Sequence, residues 1–134
     1  MKEYLMLTTE GEFIELNEED YDSTYDMLHT CVDGRIECVS WLPISFKRNI
    51  DIWLNEEGKI IDLEPSLVIL NDDRTIADMF MGNIVFARND EEGNTIPLNE
   101  EDFDYIKKEI FSLNICVNDL DENVDIFQIP AMRL

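Results

Sequence analysis

The chain is short of nearly every residue type that carries familiar chemistry. It has one histidine, His29, and three cysteines, Cys31, Cys38 and Cys116, with no Cys-x-x-Cys pair. A zinc site therefore lacks ligands. The five glycines stand singly, which removes the glycine-rich loops that cradle phosphates. Lys and Arg number 10 against 31 Asp and Glu, a formal net charge of -21. Such a surface repels nucleic acid and anionic membrane and attracts basic protein surfaces. Acidic composition also serves plain solubility, so charge alone assigns no task. No apolar run in the sequence is long enough to span a bilayer, and no signal peptide is expected. The expectation is a soluble cytoplasmic protein with reduced thiols.

What is present is enough apolar material for one core, 45% hydrophobic residues in 134. The organising stretch is Cys31–Val39, where a helical pattern ends, the chain turns at Asp33-Gly34 and a strand opens. Ahead of it, Tyr4–Leu7 and Phe13–Leu16 read as a hairpin around Gly11. Asn17 reads as the N-cap of a helix over Asn17–Cys31, with Tyr21, Tyr25 and Leu28 as its buried face. Arg35–Leu42 reads as a strand ended by Pro43, and Ser45–Asn49 as a basic loop. Ile50–Leu54 and Ile60–Leu63 form the strands of a second hairpin across Asn55–Lys59. Ser66–Leu70 is an apolar run of open type, and Asp72–Phe80 a short helix or turn. Asn83–Arg88 and Thr95–Leu98 make a third hairpin. A second helix spans Asn99–Ser112, with Phe103, Ile106 and Ile110 as its core stripe. These elements predict an α+β domain over 1–113, a mainly antiparallel sheet with both helices packed on one face. Residues 114–134 form a C-terminal extension, either an edge strand or a tail.

One echo runs through the chain. Leu16-Asn17-Glu18-Glu19-Asp20-Tyr21-Asp22 and Leu98-Asn99-Glu100-Glu101-Asp102-Phe103-Asp104 agree at six of seven positions. Shared cap and turn chemistry accounts for the echo without a duplication.

The order of elements resembles the domain-of-unknown-function family 3846, small proteins found mainly in bacteriophages and Firmicute mobile elements. The resemblance rests on Val32-Asp33-Gly34-Arg35-Ile36-Glu37, the Asn55-Glu56-Glu57-Gly58-Lys59 turn, Met81-Gly82-Asn83-Ile84-Val85 and Leu98-Asn99-Glu100-Glu101. It covers about Tyr4 to Phe111, and the chain departs from the family pattern at Glu64-Pro65-Ser66-Leu67. It implies a gene carried by a mobile element and no defined activity, cofactor or site.

The residues form no recognisable catalytic constellation. Asp119-x-Asp121-x-Asn123 opens like a calcium loop, but Val124 replaces the sharp-turn glycine and Pro130 the bidentate Glu. His29 and Cys31 lie two apart on a helix and so do not share a face. The expectation is a non-enzymatic protein without a cofactor. It binds a protein with a basic surface through Glu18, Glu19, Asp22 and Asp26, joined by Glu100, Glu101 and Asp104. Its sharpest form is a DNA mimic that inhibits a nucleic-acid-binding defence enzyme, of anti-restriction or anti-CRISPR type. Two alternatives stand beside it. One is a nucleotide-binding module or sponge, which requires Lys47, Arg48, Arg74 and Arg88 to converge. The other is a homodimer assembled through the C-terminal segment by strand addition.

Overall fold

Turn chemistry sets the first strands of the protein, whose computed structural model describes residues 3–118, 121 and 124–134. Strand β1 (Tyr4–Leu7) pairs antiparallel with β2 (Phe13–Leu16), and Gly11 takes φ +80 in the connecting turn. The long helix expected from Asn17 is broken. Glu18–Asp20 form a 3-10 turn, Tyr21 is extended, and helix α1 runs only over Thr24–Val32. Ser23 supplies its cap, its side chain accepting from the Asp26 N–H, while Asn17 makes no side-chain cap bond. Ser23 and Thr24 compete with helical backbone bonding, so the helix restarts there. The later start rotates the buried face to Met27, Leu28, Cys31 and Val32, leaving Tyr25 60% exposed and stacked on His29. The expectation that Tyr25 is buried is corrected.

Asp33 ends α1 in the left-handed region at φ 58, with β3 (Ile36–Val39) beyond it. Gly34 is needed for space rather than torsion, since a Cβ there would lie 2.5 Å from Asn55 Nδ2. That amide donates to the Val32 and Asp33 carbonyls at 3.1 and 3.2 Å and ties the helix end to the sheet. Pro43 opens helix α2 (Pro43–Arg48) where a loop was expected, and Asn49 closes it at φ 57. Proline suits the first helical turn because its missing N–H has no intrahelical partner there. Strand β4 (Ile50–Asn55) pairs with β3, but Ile60–Leu63 is not its hairpin return. Residues 56–62 turn, and Ile60 is 84% exposed. The chain crosses to another sheet with β5 (Pro65–Leu70), joined to β6 (Ile76–Met81) where a helix or turn was expected. Strand β7 (Ile84–Asn89) then pairs with β8 (Thr95–Ile96), and helix α3 follows over Glu100–Glu109. Phe111 and Ser112, expected to end that helix, already belong to β9 (Phe111–Asn118), which pairs with β10 (Val124–Arg133).

The protein is α+β, with sheet order β2-β1-β7-β4-β3 (β8 beside β7) stacked on β6-β5-β10-β9. The first sheet is antiparallel. The second is mixed, because β10 runs parallel to β5. The main core lies between the sheets, where Leu5, Leu7, Ile52, Ile84 and Phe86 meet Leu67, Ile69, Phe80 and Met132. Phe103 and Ile106 place α3 on this inner side, whereas α1 packs with Tyr4, Val85 and Ala87 on the opposite face. The two helices therefore do not share a face. Strands β1 and β7 are apolar on both sides, so each side needs its own cover. Strand β10 is likewise interior to its sheet, and β9 takes the edge.

Ile106 is fully buried in the main core. Ile106→Ala is expected to cost about 2–5 kcal/mol in urea denaturation through the cavity it leaves. A loss well under about 1 kcal/mol would show that α3 docks by another face.

Candidate functional site

Glu3 joins the two echoed segments. Its N–H donates to the Leu16 carbonyl at 3.1 Å, and its carbonyl accepts from the Leu98 N–H at 2.7 Å. Its carboxylate accepts from the Glu18 N–H at 3.2 Å. Each leucine leads into its own Asn-Glu-Glu-Asp run, so both acidic runs start from one corner of the first sheet. Nearby Tyr4 has its phenol pushed up to about 12, first by burial and then by the charges of Glu18 and Glu3. Among the expected contact residues, Glu19, Asp22, Glu100, Glu101 and Asp104 are exposed. Glu18 and Asp26 are half-buried and locally committed. Glu18 accepts from the Thr24 hydroxyl, and Asp26 Oδ2 accepts from the Asp22 N–H at 3.1 Å. From the shared corner, Asp22 leads into α1, which carries Asp26 over one face of the sheet, and α3 carries Asp104 along the other. The acids therefore diverge from a common origin on two elements.

Asp102 sits amid those surface acids yet is fully buried. Arg88 grips it with Nε to Oδ2 at 3.0 Å and Nη2 to Oδ1 at 2.9 Å, and Arg48 Nε adds 3.0 Å to Oδ1. Its carboxylate also accepts from the Asn99 N–H at 3.0 Å while Asn99 accepts from the Asp102 N–H, a capping box. Burial alone would raise its pKa. The bonds from Arg88, the Asn99 N–H and Arg48 outweigh that and hold the carboxyl below its usual range. Arg48 also lies over the Tyr105 ring at 5.2 Å and reaches Glu101 at 3.5 Å. Arg48 and Arg88 thus converge on an internal carboxylate, not on an open nucleotide site. Composition could not single out Asp102 among its acidic neighbours. Its place three residues after Asn99 was the available signal.

A family model for a domain of unknown function (DUF3846) matches residues 1–110. The chain belongs to that family. No curated protein and no solved structure matches it. The DUF3846 segment ends with α3, so β9 and β10 lie beyond the matched residues while completing the second sheet.

Within the DUF3846 segment, Cys38 and Asp51 form another ionisable pair. Burial, then the Asp51 charge, pushes the Cys38 thiol up to about 11, which keeps it protonated and a poor nucleophile at neutral pH. Burial likewise raises Asp51, although Asn89 Nδ2 donates to it at 2.8 Å. His29 Nδ1 meets the Gly34 carbonyl at 2.7 Å, at the end of α1. Among the described residues no group of three or more His, Cys, Asp or Glu is arranged to hold a metal ion. Asp119 and Asn123 of the calcium-type spacing lie outside the described residues. No helix among the described residues is long and apolar enough to cross a membrane.

Proposed function

We propose that this DUF3846 protein works by binding rather than by catalysis, presenting its acidic corner to a basic surface on a partner protein. The observation that carries the proposal is the junction at Glu3, which starts both acidic runs side by side. Glu19, Asp22, Glu100, Glu101 and Asp104 extend from it into solvent, with Glu18 and Asp26 shaping the local backbone. A partner that normally grips phosphates with Lys and Arg fits this chemistry, and a defence enzyme acting on DNA is the partner class proposed. Duplex DNA carries a charge every ~1.7 Å of axis, so the mimic form requires these exposed carboxylates to stand as a dense acidic surface.

The test is capture of host proteins at low and high salt, followed by affinity measurement on the protein captured. Combined Glu19→Lys, Asp22→Lys, Glu100→Lys and Asp104→Lys is expected to weaken binding about tenfold or more, though single rim changes each contribute only about 0.2–1 kcal/mol. These four are exposed, so the fold should survive. Raising salt well above about 0.15 M should weaken the wild-type complex through screening. A folded quadruple variant that binds unchanged would sink the proposal. Competition with duplex DNA for the same partner separates the mimic form from simple acidic docking.

A further inference from the structure

A cleft lies at one end of the second sheet, built from the β5–β6 turn and the close of β10. The turn is tightly held: Asn71 N–H donates to the Thr75 carbonyl at 2.8 Å, and Arg74 N–H to the Asn71 carbonyl at 2.9 Å. Asp73 is committed within it, accepting from both the N–H and the hydroxyl of Thr75 at 3.0 and 2.6 Å. Arg74 stands at the turn with φ 69. Across from it, Arg133 registers beside Leu70, and the Leu134 N–H donates to the Leu70 carbonyl at 2.8 Å. The Arg133 guanidinium lies 5.1 Å from the Phe111 ring centroid. Arg74 and Arg133 both line a cavity of about 430 Å³, with Leu70, Phe111 and Leu113 as its apolar wall and Asp72 at its side. That volume falls in the ~300–1,000 Å³ range of small-molecule sites.

In a strongly acidic protein the charge here is balanced, Arg74 and Arg133 against Asp72 and Asp73. Neither arginine forms an ion pair with a carboxylate among the described residues, in a chain with 31 acidic side chains. Arg48 and Arg88, by contrast, are both paired with Asp102. Two unpaired guanidiniums beside an aromatic ring and two leucines match an anionic group on a flat, partly apolar body. We infer that this cleft binds a small organic anion, a phosphate or carboxylate carried on a planar ring. Arg74 and Arg133 hold the anion, the ring lies against Phe111 and Leu113, and Asp72 accepts an N–H or O–H from the ring edge. Asp72 also repels further negative charge, so a monophosphate is preferred to a triphosphate. The cleft draws Leu70, Asp72 and Arg74 from the DUF3846 segment and Phe111, Leu113 and Arg133 from beyond it.

The test is titration of the full chain with GMP, AMP, GTP, salicylate, guanosine and inorganic phosphate, followed by amide chemical shifts and calorimetry. GMP, AMP or salicylate is expected to shift the amides of Asn71–Thr75 and of Phe111, Leu113 and Arg133. A response to GMP or AMP identifies phosphate as the anion, and a response to salicylate alone identifies carboxylate. Guanosine and inorganic phosphate should each bind at least about tenfold more weakly than GMP. Arg74→Gln and Arg133→Gln, both at exposed positions, should each weaken binding about tenfold with little change in the unfolding midpoint. Three results overturn the inference: no response to any ligand up to about 5 mM, undiminished binding by the folded double variant, or inorganic phosphate matching every ring compound.

Discussion

Replacing Asp102 with alanine should destabilise the protein by about 3 kcal/mol at neutral pH, measured by urea denaturation. Three losses coincide there: the bidentate partner of Arg88, a partner of Arg48, and half of the capping box that starts α3. Each arginine side chain is only about a quarter exposed, at 27% and 24%, so water recovers part of the lost pairing and the estimate stays at the low end for a buried pair. The effect has a definite pH sense. The folded-state pKa of Asp102 is depressed, so its contribution is fully present above the unfolded value of about 3.9 and is lost as pH falls through the folded value. The gap between wild type and Asp102→Ala should therefore narrow in acid. Asp102→Asn, which keeps an acceptor for the cap without the charge, should fall between them. A loss below about 1 kcal/mol at neutral pH, or a gap that widens in acid, would show that the cluster does not hold α3 in place.

The elements that could be read in advance are those whose causes are local. Gly11 and Gly93 adopt positive φ in the turns their hairpins require, and Asn99 caps the helix that carries Phe103 and Ile106. Failures began where partners are distant. Ile60 follows a turn and is apolar, so it looked like the return strand. The positions beside β4 are instead filled by β3 and β7. Nothing near Pro65 announces that its strand will lie parallel to residues 131–133. The correspondence of Leu16 and Leu98 was visible as an echo, but Glu3, whose backbone bonds to both, carries no motif. The same cap sequence also gave two outcomes. Tyr105-Ile106-Lys107-Lys108 continues the second helix, whereas Ser23-Thr24 interrupts the first and moved Tyr25 to the surface. In sequence Arg74 groups with Lys47, Arg48 and Arg88, and Arg133 is not singled out at all, because Arg74 and Arg133 meet only through the fold.

A chain ending at Leu113, the boundary suggested by hydrophobic patterning, is expected to lose cooperative unfolding. Residues 114–134 supply Ile129, Ala131 and Met132, all buried, and Met132 reaches the main core between the sheets. Burying an isoleucine or methionine contributes roughly 1.5–3 kcal/mol each. The truncation also strips β5 of its parallel partner and leaves Val68 and Leu70 without the strand they pack against. Together these losses rival the ~5–15 kcal/mol net stability of a small domain. The expected signature is a broad thermal transition with dye binding to exposed apolar surface. The outer part of the same segment should behave differently. Ile126 and Phe127 are 66% and 55% exposed, and β10 pairs there only with β9. Ile126→Ser with Phe127→Ser in the full chain should leave the transition sharp and its midpoint nearly unchanged. A truncated chain that melts as sharply as the full one would make 114–134 an appendage. Loss of cooperativity in the truncation but not in the double variant would place the stabilising contacts in the last six residues, where β10 meets β5 and Met132 enters the core.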